Sequence, residues 1–450
     1  MTLTMAKTET KRALVVGLGL TGYSCVRHLA ALGYETTVVD TRRDPPKLEE
    51  FKREFPQFAV HTGGLPPVLF DDPGMLVVSP GLSVKIPEIA RAVDNGVAVV
   101  GDIELFARQV TAPVIAITGS NGKSTVTALT GEMCRQAGLK TAVGGNIGVP
   151  ALSLLQQPVP DVYVLELSSF QLELTASLNA RAATVLNITP DHMDRYRDIE
   201  EYAAAKSRIF RGNGTLVLNA DDPWVMRMSL SGRRVVSFTV GQPLAAQDYG
   251  LTERNGETWL ARGHQPLMSA RDVPLTGRHN LTNVLAAMAL AEAAGMAPEA
   301  TCEAVRGFKG LKHRTELVAE HRGVRWYDDS KGTNVGATVA ALNGMAGPVI
   351  LIAGGDGKGQ DFSELKTACR KHARAVILIG RDAPQIEAVL DGVVAVHRAK
   401  DMHEAVRISH GLAQPGDLVL LSPACASFDM FRNYEHRAEV FCAAVREVAA

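Results

Sequence analysis

The residues best suited to chemistry cluster first in Val114-Ile-Ala-Ile-Thr-Gly-Ser-Asn-Gly-Lys-Ser-Thr125. An apolar, strand-like run from Val114 to Ile117 breaks at a glycine-flanked loop, and a helical pattern follows from Ser124 to Gln136. Strand, glycine loop with lysine, then helix is the layout that cradles a nucleoside triphosphate. Backbone N–H groups of Gly119, Ser120, Asn121 and Gly122 and the helix N-terminus face the phosphates. Lys123 neutralises them, and the hydroxyl of Ser124 or Thr125 reaches Mg²⁺. The loop is shorter than the common P-loop, since only Ser120 and Asn121 separate its glycines. ATP with Mg²⁺ is the expected ligand.

Mg²⁺ asks for oxygen ligands. Glu166 closes the apolar run Val162 to Leu165 and is the best carboxylate by pattern; a merely solvated edge carboxylate is the plainer alternative. His192, after Asp191 at another strand end, suits a metal or a phosphate, although a lone histidine there is more often structural. Lys206 taken alone reads as an exposed helix lysine. Asn146, in Gly144-Gly-Asn-Ile-Gly148, offers an amide to a substrate and serves equally well as a turn residue. Three later stretches each follow a strand pattern: Asp328-Asp-Ser-Lys-Gly-Thr-Asn334, Gly354-Gly-Asp-Gly-Lys358, and Leu421-Ser-Pro-Ala-Cys-Ala-Ser-Phe-Asp-Met-Phe431. One such loop is an ordinary turn. Three after strands of one sheet point to a ligand site, and Lys331 with Lys358 favours a carboxylate or phosphate there.

A frame of 450 residues is too long for one core and suggests about three domains. We expect boundaries at 1–102, 103–310 and 311–450. The first segment opens with the strand Ala13 to Val16, then Gly17-Leu-Gly-Leu-Thr-Gly22, a helix to Leu32, and a second strand ending at Asp40. That fingerprint seats a pyrophosphate on a helix N-terminus. NAD, a nucleotide-diphosphate sugar and a structural glycine turn all satisfy it. Further strands read at 75–78, 97–100, 162–165, 182–187, 215–219, 325–327, 348–353, 375–379 and 418–421, alternating with helical stretches. The fold class is α/β with mostly parallel sheets, buried on both faces. A long Ala-rich helix follows Gly277-Arg-His-Asn280, and the polar stretch 241–271 stays unassigned.

Composition removes several classes. A net charge of −1 argues against a general nucleic-acid or membrane-surface binder. The six cysteines are scattered without a CxxC pair and read as buried thiols of a reducing compartment. Met1 to Arg12 lacks an apolar leader core, and no apolar run approaches the ~20 residues of a membrane span. A cytoplasmic protein is expected.

Together these stretches resemble the Mur ligase family of peptidoglycan precursor synthesis. The motifs are Gly119-Ser-Asn-Gly-Lys-Ser-Thr125, Leu165-Glu-Leu-Ser-Ser169, Asp191-His-Met-Asp194 and Gly277-Arg-His-Asn280, and the match runs from Gly17 to about Phe441. Gly17 to Gly22 with Asp40-Thr-Arg42, and Ser422 to Phe431 with Asn433-Tyr434, bring it nearest the members that add D-glutamate to UDP-N-acetylmuramoyl-L-alanine. A folylpolyglutamate synthetase-like ligase shares the loop type but not the first segment. The resemblance implies three domains: Rossmann-like for UDP, P-loop for ATP, and Rossmann-like for the amino acid. Leu20, Thr21, Gly22, Asp40, Thr41 and Arg42 would hold the UDP end, with Ser79 and Gly81 nearby and Asn146 on the acceptor. Ser124 and Glu166 would bind one Mg²⁺, and His192 with Lys206, the latter as a carbamate, a second. Asn280 and Asn283 would lie near adenine, while Arg314 and Asp329 close over ATP. Lys331, Thr333, Lys358, Ser427 and Tyr434 would hold D-glutamate. Tyr434 departs from the family's phenylalanine: it keeps the ring and adds a hydroxyl. The resemblance also implies a monomer working through an acyl phosphate.

Overall fold

The computed structural model describes residues 11–449, so residues 1–10 of the polar start read above lie outside it. Three sheets organise the chain. The first is wholly parallel, in the spatial order Val60–Thr62, Glu35–Asp40, Arg12–Val16, Met75–Val78, Ala98–Val100. Its strand order reverses beside Arg12–Val16, and the turn Gly17 to Gly22 leaves that strand's C-terminal end. In open parallel sheets such a switch point is where ligands sit.

The second sheet has nine strands. Val114–Thr118 lies between Val162–Glu166 and Ala182–Val185, all parallel, and all three strands are fully buried. Helices Lys123–Gln136 and Arg278–Ala293 pack against one another. The middle of Arg278–Ala293, Val284 to Ala291, is buried all round, which explains an Ala- and Leu-rich helix that never crosses a membrane. Among the described residues no helix is long and apolar enough to do so.

The stretch left unassigned forms regular structure. Tyr249–Arg254, Glu257–Arg262 and Gln265–Ser269 make an antiparallel meander on the edge of this otherwise parallel sheet. The first turn is Asn255-Gly256, with φ of 53° and 76°. Both residues take the left-handed conformation that a tight two-residue hairpin demands.

The third sheet runs Glu316–His321, Val324–Asp328, Leu418–Leu421, Val349–Gly354, Ala373–Ile379, Ala395–Arg398, with only the first strand antiparallel. Loops 329–334, 355–359 and 422–427 all leave C-terminal strand ends on one edge of this sheet. All six cysteines are free, five buried and Cys442 partly so.

Candidate active site

The nucleotide loop is built on a buried strand. Gly122, at φ 84°, lets the chain turn into the helix Lys123–Gln136, and a Cβ there would meet Asn283 Oδ1 at 2.4 Å. Only glycine fits that approach. Lys123 Nζ donates to Gly119 O (2.7 Å) and Ser120 O (2.8 Å), and burial lowers its pKa. Asn121 N donates to Asn187 Oδ1 (2.8 Å), locking the loop onto the next strand's end.

Two adjoining cavities open from this loop. One, of ≈ 300 Å³, includes Gly122, Leu275, His279, Asn280, Asn283 and Ala337 in its walls. The other, of ≈ 750 Å³, includes Lys123, Ser124, Glu166, His192, Lys206 and Tyr434. Asn121, Gly122, Arg314 and Lys331 border both, so they form one cleft. Asn283 donates to Asn280 Oδ1 (3.0 Å), and Asn280 donates to Thr276 O (2.7 Å). Arg314, from the far side of the cleft, donates to Ser124 Oγ (2.8 Å). Asp329 is buried, and this raises its pKa to about 7 against the bond from Ser422 Oγ.

In the larger cavity Asn146 donates to Glu166 Oε1 (2.8 Å), while Oε2 is buried and has no partner among the described residues. A carboxylate oxygen without a donor, in a cavity whose walls also include the Ser124 hydroxyl, is the donor set a hard cation accepts. His192 takes φ 58°, rare for a residue with a side chain. Burial lowers its pKa to about 4, partly countered by Asp191. Lys206 is not exposed: its side chain is 1% accessible, and Nζ donates to Gly119 O (2.9 Å) and Thr118 Oγ1 (3.3 Å). Burial, then the charge of Lys123, pushes its pKa well below the ordinary lysine value. The plain reading of Lys206 as a solvent-facing helix lysine therefore fails.

From the third sheet Lys331, Thr333 and Tyr434 enter this cavity. Lys331 Nζ sits 3.6 Å from the Tyr434 ring centroid, and burial lowers its pKa to about 8. Lys358 and Ser427 do not join them on that wall. Lys358 Nζ pairs with Asp191 Oδ1 (2.8 Å), and Ser427 is buried beside the Asp356–Ala426 bridge.

The first sheet's expected cradle lies apart from this cleft. Gly22, in the first turn of the helix Leu20–Ala31, lies so close to Gly17 that a Cβ would stand 1.8 Å from Gly17 O. Asp40 Oδ2 accepts from Leu18 N (2.7 Å), and its carboxylate is clasped by Arg42 through backbone and guanidinium. Ser79 Oγ donates to Gly17 O (3.1 Å), while Leu20, Thr41, Arg42 and Gly81 face solvent and Thr21 is half-buried.

Some participants gave no usable signal in the chain. Leu275, Ala337 and Ala340 wall the smaller cavity yet look like core residues. Asn334 donates to Asn121 Oδ1 (3.1 Å) and Asp191 Oδ2 (3.2 Å) across more than a hundred residues of sequence. It closes the stretch Asp328 to Asn334 singled out above and caps the next helix at Ala337 N, but neither mark announces these two partners.

Known proteins resemble this arrangement throughout. Three family models match in succession: a MurD-like N-terminal domain of Mur ligases over residues 11–101, the Mur ligase middle domain over 117–291, and the Mur ligase glutamate ligase domain over 313–425. A UDP-N-acetylmuramoylalanine--D-glutamate ligase of Nitrosococcus oceani is 55% identical over 97% of this chain and 96% of its own. One from Methylobacillus flagellatus is 53% identical over 99% and 98%. Among solved structures, MurF from Acinetobacter baumannii superposes with a TM-score of 0.63 over 98% of this chain and 93% of its own, at 18% identity. A pseudomurein peptide ligase type C from Methanothermus fervidus gives 0.62 over 96% and 99%, also at 18% identity. These two speak for the fold alone. With three family models in register on the three sheets, and relatives more than half identical along almost its whole length, the chain belongs to the Mur ligase family.

Proposed function

We propose that this chain is an ATP-dependent acid–amino-acid ligase that joins D-glutamate to UDP-N-acetylmuramoyl-L-alanine, releasing ADP and phosphate. It would act in the cytoplasm, as a monomer, in peptidoglycan precursor synthesis. The carrying observation is the single cleft in which the nucleotide loop, Glu166, His192, Lys206 and Lys331 meet. Relatives with that printed activity, similar over nearly the whole chain, support the choice of substrates. The domain division we adopt is 1–102 for the UDP end, 103–310 for ATP and 311–450 for the amino acid.

A carboxylate acylates poorly because its oxygen is a bad leaving group. The L-alanyl carboxylate therefore attacks the γ-phosphorus of ATP, the bond to the ADP oxygen breaks, and an acyl phosphate forms. The free amine of D-glutamate, having lost its proton, then attacks the acyl carbon. The tetrahedral intermediate collapses with loss of phosphate. Lys123 holds the phosphates, and Arg314 with Lys331 stabilises charge that grows in both steps. Asn280 and Asn283 flank the adenine, Asp329 braces the closed cleft over ATP, and Asn146 orients Glu166 beside the acceptor.

The donor set fits Mg²⁺. Ser124 and Glu166 would hold one ion, and His192 with a carbamylated Lys206 a second. Bound there, the ions neutralise phosphate charge. Lys331, Thr333 and the Tyr434 ring take D-glutamate, with Lys358 and Ser427 behind them. Leu20, Thr21, Gly22, Thr41 and Arg42 receive the uridine end, Asp40 fixing their turn, with Ser79 and Gly81 alongside.

The test is ADP release with ATP, UDP-N-acetylmuramoyl-L-alanine and each of several amino acids. D-glutamate should be used and D-alanine rejected by roughly 10⁴-fold, because a site built for a second carboxylate leaves polar groups unpaired without it. Equal turnover of the two overturns the assignment. A folylpolyglutamate synthetase-like enzyme would require a folate acceptor and leave the first sheet's turn without a ligand.

A further inference from the structure

Arg195 takes no part in the chemistry above, yet it is among the most constrained cations near the cleft. Its side chain is 13% accessible. One guanidinium nitrogen donates to Pro80 O (3.1 Å) in the loop Ser79-Pro80-Gly81 of the first sheet, and another to Glu173 Oε2 (2.8 Å). The guanidinium carbon Cζ lies over the Phe170 ring, 4.2 Å from its centroid. Phe170 also packs on His192, with ring centroids 4.7 Å apart.

A second branch leaves the same group. Glu173 Oε1 accepts from Tyr196 OH (2.5 Å), and Tyr196 stacks on Phe170 and packs on Tyr202. The Tyr202 ring centroid is 4.6 Å from Lys206 Nζ, and Ser120 Oγ donates to Tyr202 OH (3.2 Å). Both branches therefore run from Arg195 through rigid aromatic rings, one to His192 and the other to Lys206.

We propose that Arg195 is a positioning residue that links the acceptor-side loop at Pro80 to His192 and Lys206, so that the seating of the first sheet's unit sets the geometry of the reaction centre. This rests on the roles given to His192 and Lys206 above. A planar guanidinium is needed because two directed donors and a stacking face must act at once, which an ammonium cannot do. The rings have few torsions and a close-packed surround, so a shift at Pro80 moves them as a body instead of being absorbed. His192, held at φ 58°, depends on such support to keep its orientation.

The experiment is steady-state ADP release by the full chain and its variants, with UDP affinity by calorimetry and thermal midpoints alongside. Arg195→Gln should lower kcat by about 10- to 100-fold, the scale of a misplaced reacting group. KM for ATP, UDP affinity and thermal midpoint should stay near wild type, while the Mg²⁺ concentration for half-maximal rate rises. Arg195→Lys should recover only part of kcat. Phe170→Leu, which cuts the branch to His192, should lower kcat in the same direction, and the double variant should be no worse than Arg195→Gln alone. Unchanged kcat in Arg195→Gln or Phe170→Leu, or multiplicative losses in the double, overturns the link. His192→Ala serves as the reference: inactive His192→Ala beside normal Arg195→Gln sinks this inference alone. Near-normal turnover in His192→Ala and Lys206→Ala sinks the roles on which it rests.

Discussion

A lysine 1% accessible is expensive as a cation, and among the described residues Lys206 has two oxygen acceptors, Gly119 O and Thr118 Oγ1. Its depressed pKa follows from lost hydration and from Lys123 nearby. Depression raises the share of neutral amine above that of an ordinary lysine, which with a pKa near 10.4 is charged at neutral pH. The amine can add CO₂, giving an anionic carbamate and a proton, and that anion suits Mg²⁺ where an ammonium would repel it. Lys206→Ala should therefore lose about 10²-fold or more in turnover, the scale of one lost transition-state stabiliser. Small added carboxylates should restore part of it by taking the vacated place. Activity near wild type in Lys206→Ala, with unmodified ammonium density at Lys206, would refute the carbamate. Tyr434 is a gentler case: its ring carries Lys331, and burial with Glu435 raises the pKa of its hydroxyl to about 12.

At the scale of elements, the helix Asp102–Ala107 joins the first and second sheets through carboxylates. Glu104 accepts from Ala176 N and Ser177 N, and Asp102 Oδ2 accepts from Gln171 Nε2 (2.8 Å). Asp102 Oδ1 is buried with no partner among the described residues, and burial raises this pKa from 3.8 to about 6 despite the Gln171 bond. A raised folded pKa means the native state holds the proton more tightly, so the stability it contributes is present below about 4 and lost as pH rises through about 6. Asp102→Asn mimics the protonated form. Its thermal midpoint should match wild type near the lower limit and exceed it at pH 8; parallel curves across that range would remove Asp102 as the cause.

Parallel strands such as Val114–Thr118 and Val349–Gly354 were legible because both faces are buried and every position is apolar or small. The meander 249–269 was not, because its edge strands mix Glu, Thr and Arg with few apolar residues, although Asn255-Gly256 marked its first turn. Site residues on strand ends were legible for the same reason as the strands. Asp191 as partner to Lys358 was not: 167 residues separate them, and nothing in local spacing announces a contact made by docking two sheets.

That docking is the property of the whole molecule. The third sheet reaches the second through Arg314 to Ser124, Asn334 to Asn121, and Lys358 with Asn334 to Asp191. Asp191 is the hub, since its Oδ1 also accepts from His192 N (3.0 Å). Burial pushes this carboxyl up, but Lys358 and His192 outweigh it and its pKa lies below the usual range. The depressed value means the clasp is in force above the ordinary carboxylate pKa and fails as pH falls through the folded one. Removing one partner of a buried pair costs about 3–5 kcal/mol if the other stays buried. Here the molecule has a less costly course, because the third sheet's unit can swing away and let Lys358 reach water. Asp191→Asn should therefore open the chain instead of unfolding it. Small-angle scattering should give a larger radius of gyration, the thermal midpoint should hardly move, and KM for D-glutamate should rise about tenfold, because the wall made by Lys331, Thr333 and Tyr434 no longer faces the second sheet's residues across the cleft. Scattering and KM both identical to wild type would mean that the remaining contacts of Arg314 and Asn334 close the molecule without Asp191.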